Sequence, residues 1–304
     1  MALRELATGL RFPEGPVAMD DGSVLVVEMA AGCITRVKPD GTTQTVATPG
    51  GGPNGLAIGP DGALYVCNNG GNFEIHDRDG LMIPGHTPAS HKGGRIERID
   101  LSTGRTEVLY SDCDGEVLQA PNDLVFDRDG GFWFTDHGST NDKHRTHGAL
   151  HYARADGSKI TKVLRELLSP NGVGLSPDFN TVHYAETFPG RLWSLPLSAP
   201  GVGKPPSGFT PANFEGAYPG LGYFDSLGVQ ADGGVCVATI LAGGISTFWP
   251  DSKKFEHTPL PDLLVTNICW GGADMKTAFI TMSSTGKLAA MEWRSPGLRL
   301  AYNA

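Results

Sequence analysis

Six oxygen-bearing residues recur at the same point of a repeated sequence pattern. Each is followed by a short apolar run, a turn that is usually Asp-Gly, and a second apolar run. In chain order these residues are Glu14, Asn54, Asn122, Asn171, Asp225 and Asn267. Carboxylate and amide oxygens are the ligands that suit a hard divalent cation such as Ca²⁺, Mg²⁺ or Mn²⁺. The pattern therefore predicts a metal site, provided that the fold brings these residues together.

A turn is the competing interpretation of the asparagines. In Pro-Asn-Gly at 53–55 and 170–172, the Asn side chain is able to hydrogen-bond the backbone two residues further on. Three Pro-Asn sites share their position in the repeat with a Glu and an Asp, and this favours the metal site. For Asn54 and Asn267 a role as a turn residue alone stays open. No His or Cys occurs among the six, which argues against a tetrahedral zinc site.

The repeated unit itself indicates a β-hairpin. Asp-Gly between two apolar runs is a strong hairpin signal, because glycine accepts the positive φ that the turn demands. Six such hairpins, spaced by about fifty residues and separated by further strand candidates, match four-stranded blades. We therefore predict an all-β fold, a six-bladed β-propeller of four-stranded antiparallel blades around a central channel. Residues 1–304 are expected to form it as one domain, and the six polar residues would converge at one channel end.

Composition excludes several classes of function. The net charge is −9 and no basic stretch occurs, so a nucleic-acid or anionic-membrane partner is not expected. No apolar run approaches the length that spans a bilayer, and the first residues lack the apolar core of a signal peptide. The five cysteines include no C-x-x-C pair. These features predict a cytoplasmic protein with reduced thiols, and they leave the oligomeric state open.

Two long segments between the hairpins are expected to cover a binding site. Residues 69–94 are polar, rich in glycine and contain histidine, whereas residues 198–224 are rich in glycine, proline and aromatic residues. Loops at one face of a repeat protein often carry its specificity.

Four of the repeats resemble the SMP-30/gluconolactonase/LRE-like family, and the similarity covers essentially the whole chain. The resemblance is carried by "PEGP" with Glu14, "PNDLVFDRDGGFWFTD" with Asn122, "PNGVGLSPD" with Asn171 and "DSLGVQADGGVCVA" with Asp225. It implies a six-bladed propeller that holds one divalent metal ion on these four residues. Ca²⁺ is the first expectation, with Mg²⁺, Mn²⁺ or Zn²⁺ as alternatives. Animal members carry an arginine where this chain has Ala120, so their substrate contacts are not transferred.

The resemblance also implies an activity. The chain is expected to be a metal-dependent lactonase that opens a small-molecule lactone, in the first place a sugar lactone. The metal would polarise the carbonyl group, and Asp225 is expected to be the general base. Asn54 and His137 are expected to bind substrate, although His137 fits a structural place in the loop "FTDHG" equally well.

Two other functions are compatible with the same residues. One is an esterase or lactonase acting on non-sugar aryl or aliphatic esters. The other, from a different class, is a non-catalytic binding or scaffold propeller in which the ion is structural. No G-x-S-x-G sequence occurs, which disfavours a serine hydrolase.

Overall fold

The computed structural model describes residues 2–206 and 209–302, and six antiparallel sheets form the blades of a β-propeller. The predicted all-β, six-bladed architecture is confirmed. In the two described ranges no helix is long and apolar enough to cross a membrane.

The strands are numbered β1 to β29 along the chain, and each blade begins with its innermost strand. Blade 1 contains β2 (Pro13–Ala18), β3 (Val24–Glu28), β4 (Cys33–Val37) and β5 (Thr43–Ala47). Blade 2 contains β6 (Pro53–Ile58), β7 (Leu64–Asn68), β10 (Arg95–Ile99) and β11 (Thr106–Tyr110). Blade 3 contains β14 (Pro121–Phe126), β15 (Gly131–Asp136), β16 (Gly148–Arg154) and β17 (Ile160–Leu167).

The remaining blades follow the same order. Blade 4 contains β18 (Pro170–Leu175), β19 (Thr181–Glu186), β20 (Arg191–Ala199) and β22 (Asn213–Ala217), with the short β21 (Val202–Gly203) also on β20. Blade 5 contains β23 (Tyr223–Val229), β24 (Val235–Ile240), β25 (Gly244–Trp249) and β26 (Lys254–Pro259). Blade 6 contains β27 (Val265–Gly271), β28 (Thr277–Met282), β29 (Lys287–Glu292) and β1 (Arg4–Ala7).

The ring is closed by a strand that the sequence pattern does not reveal. β1 comes from the first residues of the chain, yet it pairs antiparallel with β29, with Arg4 opposite Ala290 and Glu5 opposite Ala289. Blade 6 is thus built from both chain ends, and the pairing of β1 with β29 closes the ring of blades.

Two small hairpins lie outside the blades. β8 (Ile75–Arg78) pairs with β9 (Leu81–Pro84) inside the first long insertion, and β12 (Asp112–Cys113) pairs with β13 (Glu116–Val117). The second insertion instead supplies β21 and β22, which pair with the third strand of blade 4.

Neighbouring blades pack through apolar side chains. Between blades 2 and 3, Tyr65, Phe126, Phe132 and Phe134 are all buried. The Tyr65 and Phe126 rings meet edge to face with centroids 4.9 Å apart, a favoured aromatic geometry. Packing of this kind fixes the angle between blades and therefore the position of each innermost strand.

The innermost strands approach each other so closely that three of them need glycine, at Gly15, Gly55 and Gly172. A Cβ atom on Gly172 would lie 2.4 Å from the backbone nitrogen of Leu227, and one on Gly55 would lie 2.7 Å from the carbonyl oxygen of Asn122. Both glycines lie inside strands. The two Pro-Asn-Gly segments are therefore strands and not turns, although their composition is compatible with either. Glycine is required there because the backbone of the next blade occupies the side-chain position.

A polar residue at the end of the second strand anchors the start of the first strand in four blades. Its side-chain oxygen accepts a hydrogen bond from a backbone N–H that precedes the innermost strand. The pairs are Glu28 with Arg11 (2.7 Å), Asn68 with Gly52 (3.0 Å), Asp136 with Ala120 (2.7 Å) and Glu186 with Leu168 (2.6 Å). These four strand-end side chains therefore hold the start of each innermost strand, where the predicted polar residues lie.

Asp136→Ala is expected to lower the free energy of unfolding by about 3 kcal/mol, because unpaired buried donors are costly. The buried Asp136 carboxylate accepts from Gln119 (2.7 Å), Ala120 (2.7 Å) and Gly138 (3.1 Å). Urea denaturation measures the change, and Asp129→Ala, an exposed aspartate of the same hairpin, is the matched control. Equal stability of the two variants would contradict the anchoring role.

Candidate active site at one end of the channel

Five of the six predicted residues line one pocket of about 320 Å³. They come from five different blades and form its polar floor: Glu14, Asn54, Asn122, Asn171 and Asp225. The pocket lies at the channel end where the innermost strands begin. The sixth residue, Asn267, does not line this pocket; its Nδ2 instead donates to Oε2 of Glu14 (3.1 Å).

A β-bulge accompanies each of these residues. In all six blades the pairing of the first two strands shifts at this point, for example between Pro121 and Leu124 and between Phe224 and Leu227. A bulge re-aims the local side chains. The six residues therefore lie within the first strands rather than just before them, and irregular pairing directs them toward the channel.

Glu14 is buried, with 3% of its surface exposed. Its Oε2 accepts hydrogen bonds from the backbone N–H of Gly15 (2.9 Å) and from Asn267 (3.1 Å). Burial disfavours the charged form and raises the pKa of Glu14 to about 7. Asn267 thus has a function that a turn residue would not have, because it fixes one oxygen of this carboxylate.

Asp225 is half-buried at the pocket floor. Burial raises its pKa well above the usual range, and the negative charge of Glu14 adds to the effect. Two acidic groups that face each other in a poorly hydrated channel destabilise each other unless a proton or a cation compensates.

Sequence reasoning missed a third acidic residue in the channel, Asp123. It is 7% exposed, and burial followed by the charge of Glu14 raises its pKa to about 7. Its Oδ1 accepts from the backbone N–H of Leu124 (2.9 Å). The sequence does contain a sign of this acid. Blade 3 has "PND" where blades 2 and 4 have "PNG", so Asp123 stands at the position that glycine occupies in those two blades.

The amide groups at the floor differ in their hydrogen bonds. Oδ1 of Asn122 is buried and has no hydrogen-bond partner among the described residues. Nδ2 of Asn171 donates to Oγ1 of Thr187 (3.1 Å), and Oδ1 of Asn171 accepts a long hydrogen bond from Oγ of Ser226 (3.5 Å). The Asn122 oxygen is therefore free, and the Asn171 oxygen keeps a second lone pair, so both are able to bind a positively charged group.

This set of groups fits a hard divalent cation. It combines buried carboxyl groups with an unpaired amide oxygen, and no Lys or Arg of the described ranges forms an ion pair with Glu14, Asp123 or Asp225. Oxygen ligands of mixed charge are what Ca²⁺ and similar ions prefer. No cluster of three His, Cys, Asp or Glu side chains with the arrangement of a metal site occurs in the described part of the chain. The fit therefore depends on the amides as well as the acids.

An apolar layer lies directly below the polar floor. In blades 2 to 5, the second residue after each floor residue is a buried aliphatic one. These four side chains border a second cavity of about 110 Å³: Leu56, Leu124, Val173 and Leu227. Asp123 and Asn267 border the same cavity, so the layer lies between the pocket floor and the opposite channel end but is not wholly apolar. It keeps the floor in a low-dielectric environment, where charge interactions are stronger than in water.

The pocket walls are mainly apolar, and the first insertion forms part of them. Phe73, Ile83 and Pro84 come from residues 69–94, as expected for a loop that covers the site. The expectation for residues 198–224 holds only for Tyr223, since Tyr218 packs against Phe255 and His257 instead. The second insertion mainly completes the outer part of blade 4.

His137 lies in the pocket wall between two aromatic rings. Phe73 and Phe188 meet it edge to face, with centroid distances of 5.3 and 6.1 Å. Burial lowers the pKa of His137 to about 4. The ring is therefore neutral at physiological pH, so that it offers one donor and one acceptor nitrogen rather than a positive charge.

The loop after His137 supplies a residue that sequence reasoning overlooked. His144 and His147 are exposed, but Arg145 lines the pocket. Its guanidinium carbon lies 3.7 Å from the centroid of the Phe188 ring. No sequence pattern marks this arginine, because a loop without repeat symmetry positions it.

Comparison with known proteins gives relatives with named activities. The chain is 26% identical over 305 residues to a gluconolactonase of Zymomonas mobilis, an alignment that covers 91% of this chain and 78% of the relative. It is 30% identical over 231 residues to the lactonase drp35 of Staphylococcus saprophyticus, which covers 75% of this chain but only 63% of the relative's length.

Solved structures share the fold. Regucalcin of Agrobacterium tumefaciens, described as a calcium-binding protein, superposes with a TM-score of 0.71 at 20% identity, covering 98% of each chain. At this identity the likeness establishes the fold alone.

The sequence model of the SMP-30/Gluconolactonase/LRE-like region matches residues 12–284. The matched segment includes all six innermost strands and every residue of the pocket floor. The protein belongs to the SMP-30/gluconolactonase/LRE-like family.

Proposed function

We propose that the protein is a divalent-metal-dependent hydrolase that opens the ring of a lactone. The observation that carries this proposal is the convergence of Glu14, Asn54, Asn122, Asn171 and Asp225 on the floor of one pocket. The named activities of the gluconolactonase and the lactonase relatives support the same reaction class. A sugar lactone is the first candidate substrate.

Glu14, Asn122, Asn171 and Asp225 would hold the metal ion, for which we propose Ca²⁺ first. When bound, the ion acts as a Lewis acid on the carbonyl group and offsets the mutual repulsion of the acids. Asn267 keeps one oxygen of Glu14 in place through its hydrogen bond (3.1 Å). These residues therefore fix where the carbonyl carbon of the substrate lies.

Asp225 is the proposed general base. It is half-buried and faces the pocket, so a water molecule above the floor can reach it. Burial and the charge of Glu14 raise the pKa of Asp225 in the metal-free protein, and a bound cation would lower it and so favour the ionised carboxylate that a general base requires. Water attacks the carbonyl carbon while the carboxylate accepts its proton. The ring C–O bond then breaks, and Asp225 returns the proton to the departing ring oxygen, which becomes a hydroxyl group.

Asn54 and His137 are proposed to position the substrate. Both line the pocket, and neutral His137 is able to donate to or accept from a substrate hydroxyl group. Their neutrality suits an uncharged lactone ring, because neither adds charge beside the reacting carbonyl.

A second candidate substrate class is favoured by the walls. Phe12, Met29, Phe73, Ile240 and Leu264 give the pocket a largely apolar lining. Such a lining favours a less hydroxylated lactone or an aryl or aliphatic ester. This alternative keeps the same floor residues and the same reaction.

Removal of divalent metal is expected to abolish lactone hydrolysis, and its return should restore it. Chelator-treated protein is assayed with a pH indicator for acid release from sugar lactones, alkyl lactones and aryl esters, with Ca²⁺, Mg²⁺, Mn²⁺ or Zn²⁺ added in turn. The substrate pairs distinguish a sugar lactonase from a non-sugar esterase. Absence of activity with every ion and every substrate would favour the non-catalytic scaffold and refute the hydrolase.

Glu14→Gln, Asn122→Ala and Asp225→Asn are each expected to lower kcat/KM by about 100-fold or more, because each removes charge or an oxygen ligand from the floor. Asn267→Ala is expected to cost about tenfold, since it acts only through Glu14. The matched control is Glu107→Gln, an exposed glutamate of the outer strand β11. Steady-state kinetics at saturating metal measure these effects, and unchanged kcat/KM in Glu14→Gln would rule out the ligand assignment.

A further inference from the structure

Arg145 places a positive charge in the wall of a pocket whose lining above the floor is mainly apolar. The residue belongs to the loop between β15 and β16. Its guanidinium carbon lies 3.7 Å from the centroid of the Phe188 ring, and its Nε donates to Oγ1 of Thr140 (3.2 Å). One face of the guanidinium group is therefore covered by an aromatic ring, an arrangement that arginine adopts readily.

The charge of Arg145 is not neutralised by the protein. In residues 2–206 and 209–302 no carboxylate forms an ion pair with it, and Nε is its one side-chain donor with a protein acceptor. The nearby acid of the same loop, Asp142, pairs with His86 instead (2.8 Å). A guanidinium group has five N–H donors in a planar fork, so most of its binding capacity remains free for a ligand.

The loop that carries Arg145 is held in place. The backbone N–H of Thr87 donates to the carbonyl of Thr140 (2.7 Å), and Oγ1 of Thr87 accepts from the N–H of Thr140 (2.9 Å). At the base of the loop the N–H of Ser139 donates to Oγ1 of Thr146 (2.7 Å). The backbone that carries Arg145 is therefore held in place, and its exposed side chain is positioned by Phe188 and Thr140.

The pocket thus has oxygen ligands at its floor, mainly apolar walls above them, and in the wall beside Phe188 one guanidinium group without an ion-pair partner among the described residues. From this arrangement we infer that the substrate is a lactone that carries a separate carboxylate, and that Arg145 binds this carboxylate while the lactone carbonyl lies at the floor. A planar carboxylate matches the free edge of a guanidinium fork through two parallel hydrogen bonds. The inference rests on the proposed lactonase function and specifies its substrate class.

Two pairs of lactones test it. D-Glucaro-1,4-lactone and D-glucono-1,4-lactone differ only in a carboxylate or a hydroxymethyl group. 5-Oxotetrahydrofuran-2-carboxylate and its carboxamide have the same shape and differ in charge. With metal-loaded protein we expect kcat/KM to be at least about tenfold higher for the acid of a pair, as a charge-assisted hydrogen bond would give.

Substitution assigns this preference to one side chain. Arg145→Gln should remove the preference, mainly through a higher KM for the acid, and should change kcat/KM for the neutral partner by less than about twofold. Arg145→Lys should keep part of the preference, since it retains the charge without the fork. Lys143→Gln is the matched control, because it removes a positive charge from an exposed position of the same loop that does not line the pocket; it should leave the preference unchanged.

The outcomes separate the inference from the function on which it rests. Equal kcat/KM for both members of each pair, unchanged in Arg145→Gln, would overturn the role of Arg145 and leave the lactonase intact. An equal loss in Lys143→Gln would also overturn it, because the effect would then come from the general charge of the loop. No hydrolysis of any of the four lactones would overturn the inference, and the proposed function would fall with it only if the alkyl lactones and aryl esters of the wider panel were also not hydrolysed with any of the metal ions.

Discussion

The site depends on how closely the innermost strands of adjacent blades approach each other around the channel. At Gly15, Gly55 and Gly172 the backbone of the next blade lies where a side chain would be, at 2.4 to 2.7 Å from the Cβ position. This spacing brings polar residues that are far apart in sequence onto one floor. It also forces Glu14, Asp123 and Asp225 to be close together and poorly hydrated, which raises the pKa of each.

The crowded acidic groups destabilise the folded protein, and the surrounding structure offsets this effect. Like charges in a low-dielectric channel oppose folding unless a cation or protons compensate. The backbone anchors at Glu28, Asn68, Asp136 and Glu186 hold the strand starts in position, and the apolar layer below the floor keeps water away from one side. Stability is thus provided by the outer parts of each blade, while the channel carries a charged arrangement that suits a divalent ion. Such a division is common where binding groups are preorganised.

Much of this arrangement was predictable because the fold repeats. Asp-Gly turns and alternating apolar runs revealed six hairpins, and a shared position within the repeat identified the floor residues, including Asn122 and Asp225. The features that depart from the repeat were not predictable. β1 joins blade 6 from the other end of the chain, and Arg145 reaches the pocket from a loop with no counterpart in other blades. The Pro-Asn-Gly segments were ambiguous, because glycine serves both tight turns and close backbone approach, and only packing distinguishes the two.

The most direct test of the account is an anomalous difference map from crystals grown with Mn²⁺ or Ca²⁺. The account predicts one strong peak at the channel end, within bonding distance of oxygen atoms of Glu14, Asn122, Asn171 and Asp225. The peak should be absent from Glu14→Gln crystals grown in the same way. A channel without a peak in the original protein, or a peak that remains in Glu14→Gln, would contradict the claim that these converging residues form a metal site.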